Sequence, residues 1–342
     1  MRPAGSRAVS AIVPARDAAA TLGAVLPALL GALPPGAEVL VVDDGSTDDT
    51  AALAAGRGAR VLGVSEARGP AAARNRGARA AAGEILVFVD ADCVPHADAI
   101  RLLLGAFDDP TVAAAFGSYD DRPPAHSWVS LYKNLAHHFV HQRSVEDVPT
   151  FWAGLGAMPR DVFVAAGGFD ESYVRPSLED VELGYRLTAA GRRIRLVKDA
   201  QVTHLKRWTL GSWLVSDLRD RALPWARLVR AGRPLPHTLN FTGRDRAASG
   251  LVALAWLLLA GALFFGSGRR AALGGTALAL ASAVALDAPF LRFAAHRVSP
   301  AFALTAGALH LLHRTAGLVG LALGFLDPSP QKSNPAFPPA RR

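Results

Sequence analysis

Glu84-Ile85-Leu86-Val87-Phe88-Val89-Asp90-Ala91-Asp92 decides how the first half of the chain folds. Five apolar residues in a row, without polar alternation, read as a strand covered on both faces, as in the middle of a layered α/β domain. The run stops at two carboxylates one residue apart, and ligands of such sheets sit at the carboxyl ends of the strands. Strand alternation turns both carboxylates to one side, where two hard oxygen donors suit Mg²⁺ or Mn²⁺ held against a diphosphate. The plain alternative is a solvated turn.

Reading outward, Ala8–Val13 is expected as a strand, Ala18–Leu33 as a helix kinked at Pro27, and Val39–Val42 as a buried strand. Thr47–Ala55 reads as a helix, Ala59–Val64 as a strand and Pro70–Ala82 as an Ala/Arg helix. This strict alternation predicts an α/β domain with a mostly parallel sheet and right-handed crossovers. Pro14–Asp17 and Asp43-Asp44-Gly45-Ser46 then fall at two further strand ends. The latter either caps a helix or offers a carboxylate to the imide N–H of a uracil. Arg74 and Asn75 either reach that pocket or are surface charge on an Ala-rich helix. The chain contains no G-x-x-x-x-G-K-[ST] segment, and no G-x-G-x-x-G follows the first strand, which excludes a P-loop and weakens a dinucleotide reading.

Further along, Glu179-Asp180 opens a helix running to about Ala190. The helix dipole favours acids there, which is a structural role, and also keeps an acid ionised as a general base requires. Trp152-Ala153-Gly154 and Gly167-Gly168-Phe169-Asp170 read as turns around a pocket. His204 ends a strand-like Ala200–His204 and is either structural or a metal ligand.

Charge and hydropathy divide the 342 residues. The single cysteine, Cys93, excludes a disulfide framework and a cysteine-rich zinc site. The net charge is +8, yet residues 186–246 hold 14 Lys and Arg against 4 Asp and Glu, so the rest is close to neutral. This basic stretch directly precedes the most apolar part of the chain. Ala247–Gly266 is a clean apolar run long enough to cross a bilayer, Ala271–Leu286 is shorter, and Pro300–Leu326 is interrupted by His310, His313 and Arg314. Three buried helices of a soluble domain is the competing reading. Trp208, Trp213 and Trp225, interleaved with Arg and Lys, suit amphipathic helices in a headgroup layer. A nucleic-acid partner is not expected, because the patch abuts an apolar span. The positive-inside rule places the first half in the cytoplasm, as the soluble part of a multi-pass inner-membrane protein. Arg2 and Arg7 precede only a short apolar run ending at Pro14, so no signal peptide is expected. The organisation expected is therefore a soluble domain over 1–205, a basic interface segment over 206–246, two to three spans over 247–326, and a disordered Pro-rich tail over 327–342.

In order, the chain carries Ile12-Val13-Pro14-Ala15, Val41-Val42-Asp43-Asp44-Gly45-Ser46-Thr47-Asp48, Ala73-Arg74-Asn75-Arg76-Gly77 and Asp90-Ala91-Asp92. Gly167-Gly168-Phe169-Asp170 and Glu179-Asp180-Val181-Glu182-Leu183 follow. Each is weak alone, but the ordered set resembles the family 2 glycosyltransferases of GT-A fold over roughly residues 8–205. The resemblance implies a nucleotide-sugar donor, UDP- or GDP-linked, a divalent metal, and inversion at the anomeric carbon. It implies that Asp44, with Pro14, Ala15, Asp17 and Arg74, contacts the nucleotide. Asp90 would face the ribose or sugar and share the metal region with Asp92, with His204 as a further ligand, and Asp180 of the Glu179-Asp180 pair would be the catalytic base.

Two departures matter. Asp17-Ala18 stands where family members usually have Asn-Glu, which leaves UDP versus GDP open. His204-Leu205-Lys206-Arg207-Trp208 lacks the glutamine of the Q-x-x-R-W found in processive synthases, so transfer of one sugar is expected rather than polymer extrusion. The cationic aromatic segment and the apolar helices point to a lipid-linked or glycolipid acceptor. The alternatives are transfer to polyprenyl phosphate, or a non-catalytic nucleotide-sugar-binding scaffold, from which loss of Asp92 or Asp180 would be expected. His137 and His141, spaced i, i+4 on a helix, form either a metal pair or a polar helix face.

Overall fold

The computed structural model describes residues 8–64, 66–233, 235–264 and 268–327. The expected Pro-rich tail lies, from residue 328 onward, outside the described residues. The chain forms two compact units, one running to Ala125 and resuming over Ser144–Lys206, the other made of His126–Arg143 and the described residues from Arg207 to Asp327.

In the first unit β1 (Val9–Ala15), α1 (Ala19–Ala32), β2 (Glu38–Asp43), α2 (Thr50–Gly56), β3 (Arg60–Gly63), α3 (Pro70–Ala80) and β4 (Ile85–Val89) alternate as the sequence predicts. Then come β5 (Cys93–Pro95), α4 (Ala99–Gly105), β6 (Val112–Tyr119) and α5 (Trp128–Arg143), the last belonging to the second unit. β7 (Leu155–Pro159), α6 (Arg160–Ala165), α7 (Glu179–Ala189) and β8 (Arg193–His204) complete the first. The strands form one sheet in the order β3-β2-β1-β4-β7-β6-β8-β5. Pairing is parallel from β3 through β4 and again between β6 and β8, and antiparallel on both sides of β7 and at β5.

All five residues of β4 are buried, as expected of a strand with helices on both faces. Leu22, Val25, Leu26 and Leu29 of α1 pack on one face with Val87 and Val89. The other face is aromatic, with Phe88 centred 5.4 Å from Phe163 and 5.2 Å from Phe169. Phe169 thus anchors the Gly167–Asp170 turn in the core, and the glycines before it take positive φ of 86° and 69°.

The second unit contains α8 (Leu210–Val215), a π-helical stretch Ser216–Ala222, α9 (Leu223–Arg230), α10 (Gly243–Phe264), α11 (Arg269–Leu286), α12 (Ala288–Arg297) and α13 (Pro300–Leu326). By length and composition α10 and α13 could each cross a bilayer, and α11 with α12 form a third apolar pair bent by 61°. One expectation fails here. Trp213 does not sit in a headgroup layer, because it is fully buried, its ring centre is 5.3 Å from that of Tyr132, and its Nε1 donates to Asp217 at 2.5 Å. Buried indoles need such a partner, and Asp217 supplies it.

Gly320 and Gly324 of α13 lie against Ala222 and Ala226, and a Cβ at either glycine would overlap the facing alanine's Cβ. Small residues at i and i+4 on both helices allow this close approach. Gly324→Val should therefore cost about 1–3 kcal/mol, as overpacking does. Gly317→Ala, with nothing within 4 Å of its Cβ, should be neutral or slightly stabilising. Thermal unfolding of the purified full chain separates the two, and equal Tm values would contradict the tight crossing.

Candidate active site

The carboxyl end of β4 is organised by an arginine. The Arg74 side chain, 5 % exposed on α3, donates from Nη2 to Asp90 Oδ1 at 2.6 Å and from Nη1 to Glu179 Oε1 at 2.8 Å. The other Glu179 oxygen accepts the Ser177 N–H at 2.8 Å. Arg74 and Glu179 are thus committed to one another and to Asp90, and their burial demands such pairing. Neighbouring Asn75 is fully buried. Its side chain bonds both the N–H and the carbonyl of Phe169, at 2.9 and 2.8 Å, so it fixes the Gly167–Asp170 turn instead of facing a ligand.

Asp180, next to Glu179 in the first turn of α7, is more accessible than its neighbour. Its Oδ2 accepts the Ala153 N–H at 3.1 Å, while the Gly154 carbonyl accepts the Asp90 N–H at 3.2 Å. The Trp152–Gly154 loop therefore ties Asp180 to the end of β4. Burial, reinforced by the Glu179 charge, pushes the Asp180 carboxyl up to about 7 from an ordinary 3.8. The helix dipole was expected to keep this acid firmly ionised. Desolvation and a like charge outweigh it, which poises the group near neutrality.

Asp92 and His204 meet because β5 and β8 pair antiparallel with Cys93 opposite His204. His204 Nε2 lies 3.5 Å from Asp92 Oδ2, and Tyr119 stacks on the imidazole at 4.3 Å between centres and 9° between planes. Asp92, Cys93 and His204 each bring one donor atom within 4.8 Å of the others. Burial pushes the Cys93 thiol well up, so at neutral pH it is a protonated core residue and a poor ligand. Burial would also raise Asp92, but the His204 contact and Lys206 hold it below the usual carboxylate range. What remains is a carboxylate and an imidazole oriented by its ring stack, a donor pair that fits Mn²⁺ or Mg²⁺ with substrate oxygens completing the shell.

The β1 and β2 ends form a second cluster. Pro14 and Ala15 pair in register with Val42 and Asp43. Asp44 is buried, its N–H bonds the Ala15 carbonyl at 2.8 Å, and its two oxygens accept the N–H groups of Arg68 and Gly69 at 2.9 and 2.8 Å. Gly69, with φ of 90°, leaves no room for a Cβ against the Val174 carbonyl. Asp44 thereby pins the N-terminus of α3, and with Val64, Arg68, Ala72 and Arg76 it lines a cleft. Asp17, with φ of 48°, accepts the Thr47 N–H at 2.7 Å while its own N–H donates to Ser46 Oγ at 2.9 Å. That Thr47 bond holds the Asp17 carboxyl below its ordinary value.

The structure thus gathers Asp90, Asp92, Asp180, His204, Arg74 and Glu179 around the ends of β4 and β8, with Pro14, Ala15, Asp17 and Asp44 at the ends of β1 and β2. The Trp152–Gly154 loop is the turn that the sequence places around a pocket, whereas Cys93 and Tyr119 were not singled out for this site. Of these two, only Cys93, beside Asp92, carried a sequence signal. His137 and His141 lie against each other on α5, ring centres 4.0 Å apart and planes tilted by 44°, in the second unit.

Residues 10–163 match the family model described as Glycosyl transferase family 2. The chain carries a glycosyl transferase family 2 domain. A pre-mycofactocin glycosyltransferase of Mycobacterium tuberculosis is 32% identical over 224 residues, covering 61% of this chain and 45% of the relative. A validoxylamine A glucosyltransferase of Streptomyces hygroscopicus is 30% identical over 189 residues, covering 45% of this chain and 44% of the relative. The chain therefore spans less than half the length of these curated relatives. A mannosyltransferase from Pyrobaculum calidifontis, solved in complex with GDP-Man and Mn²⁺, superposes with a TM-score of 0.57 at 22% identity, covering 94% of this chain and 89% of that one. The likeness shows that the family 2 domain has the GT-A fold.

Proposed function

We propose that the family 2 domain moves one sugar from a UDP- or GDP-sugar, with inversion, to a hydroxyl of a lipid-linked or glycolipid acceptor. On this reading the chain is a multi-pass inner-membrane protein with its catalytic unit in the cytoplasm. The observation that carries the assignment is Asp180, a half-buried carboxylate that burial and the Glu179 charge push up to about 7 and that is tied through Ala153 and Gly154 to Asp90.

Asp180 accepts the proton of the attacking hydroxyl, which is far too weak an acid to lose it unaided. Asp92 and His204 would hold the divalent ion, which when bound offsets charge on the departing nucleoside diphosphate. Asp90, fixed by Arg74, faces the ribose or sugar, and Asp44, Asp17, Pro14 and Ala15 line the base side. Arg74 and Glu179 act through Asp90 and are positioning residues. A polyprenyl phosphate acceptor would arrive already ionised and need no base, so the raised Asp180 favours a hydroxyl.

The full chain in mixed micelles with bacterial lipid extract and a panel of UDP- and GDP-sugars tests the metal site. EDTA should abolish donor turnover, Mn²⁺ or Mg²⁺ should restore it, and Asp92→Asn should lower it by about 10²-fold or more. Undiminished turnover in EDTA would remove the ion from the scheme.

A further inference from the structure

α10 and α11 are built inside-out relative to a soluble helix pair. They run antiparallel, with Thr276 Oγ1 reaching the Ala255 carbonyl at 3.4 Å and Gly275 facing Leu258. The residues buried along them are small, among them Ala255, Ala262, Ala279 and Ala283. The large ones, including Leu257, Leu263, Phe264 and Leu278, stand exposed. Small residues within and bulky apolar ones outside is the arrangement of helices whose solvent is lipid. Ala247–Phe264 is 18 residues, about 27 Å as helix, and α11 beyond Arg269 and Arg270 adds 16 largely apolar residues, about 24 Å, both near the hydrocarbon thickness.

An ionic cluster marks the open end of this hairpin. Arg314, at the middle of α13 and 7 % exposed, donates to Asp287 Oδ1 at 2.6 Å, just past the end of α11. It also donates to the Asp245 carbonyl at 2.9 Å and Ser249 Oγ at 3.1 Å, in the first two turns of α10. The midpoint of α13 is therefore level with the base of the hairpin.

Each half of α13 is packed along one side only, while Leu304, Val319, Leu323 and Leu326 stand exposed on the rest of it. Its first half packs through Phe302 and Ala306 on α12 and on α5, and Tyr132 of α5 bonds His310 at 3.1 Å. Its second half packs on Ala222 and Ala226, and Arg227 of α9 pairs with Asp327 at 2.5 Å. The partners carry Arg143 on α5, Arg292 and Arg297 on α12, and Arg221 beside Ala222, apart from Lys133 and Arg219, which pair with Asp217 and Asp220. Burying such charges mid-bilayer costs about 2.5–3.5 kcal/mol each even on the mildest scale. The same cations at the hairpin's base match an anionic headgroup layer.

We infer that the chain crosses the bilayer twice, through α10 and α11, and that α13, though long and apolar enough to span, lies at the base of that hairpin against an anionic leaflet. This rests on the membrane assignment proposed above. It predicts that the catalytic unit and the C-terminus share one side, with the α10–α11 turn on the other.

The test uses the full chain in inverted and right-side-out vesicles, with a membrane-impermeant maleimide. Native Cys93 is buried and serves as the unlabelled background. Arg57→Cys, Arg270→Cys and Lys332→Cys report the catalytic unit, the hairpin tip and the tail. Arg57→Cys and Lys332→Cys should label together, and Arg270→Cys only in vesicles of the opposite orientation, with about a tenfold preference. Lys332→Cys labelling opposite to Arg57→Cys would overturn the inference, because α13 would then cross. Labelling of all three from one side would overturn it too. Carbonate extraction then decides the wider reading, which survives if the chain stays in the pellet and fails if it is released.

Discussion

Asp180→Asn is expected to lower sugar transfer about 10²–10⁴-fold while leaving donor affinity nearly unchanged. The substitution keeps the shape of the side chain and the possibility of accepting the Ala153 N–H, and removes only the basic oxygen. The same change should stabilise the fold. Asp180 titrates at about 7 in the folded chain against 3.8 ordinarily, so folding binds a proton that the unfolded chain has released. Stability contributed by its neutral form is then lost as pH rises from about 4 to about 7, and a neutral Asn escapes that loss. At pH 7.5 the variant should gain about 1 kcal/mol or more, or about 2–4 °C in Tm for a chain of this size. Wild-type kcat/KM should rise with pH through about 7 and then level. An inactive variant that also unfolds more easily would point to a structural carboxylate, and a fully active one to a phosphate acceptor.

Arg74→Met should be the most damaging single change to the first unit, costing about 3–5 kcal/mol because it strands buried Glu179 and frees Asp90. Adding Glu179→Leu should recover much of the stability, since a well-packed apolar pair often replaces a buried ion pair without loss. Activity should not return, because Asp90 would still lack its partner. Urea unfolding of the two variants beside donor turnover gives both numbers. Wild-type stability in Arg74→Met would contradict the clamp and return Arg74 to direct contact with the nucleotide.

The sequence made the left half of the sheet legible. Ile85–Val89 appears with the predicted bounds because a continuous apolar run bracketed by Gly83 and Asp90 admits little else. Asp90 and Asp92 were visible as candidates for the same reason. Arg74 and Asn75 were not resolved, since an Ala-rich helix such as Pro70–Ala80 has almost no apolar periodicity to show which face is buried. The roles seen for them depend on Glu179 and Phe169, about a hundred residues away. β5 is three residues long and pairs with β8 from across the chain, so the meeting of Asp92 with His204 had no local signal.

Trp213 marks the limit in the second unit. Among arginines and other tryptophans its composition suited a membrane surface, but Tyr132 and Asp217 enclose it, and Tyr132 lies 81 residues away in sequence. The Asp180 environment was misjudged in a similar way. The dipole of α7 is local and readable, whereas the burial that overrides it comes from packing.

The most direct test of the central claim is the anomeric configuration of the sugar as it first leaves the donor. Water can stand in slowly for the unknown acceptor, and proton NMR can follow UDP-glucose, UDP-galactose and GDP-mannose with the full chain and Mn²⁺. A single displacement with Asp180 as base predicts that the first-formed free sugar has the inverted configuration, before mutarotation, and that Asp180→Asn slows its appearance. First appearance of the retained anomer, or consumption of no donor at all, would contradict it.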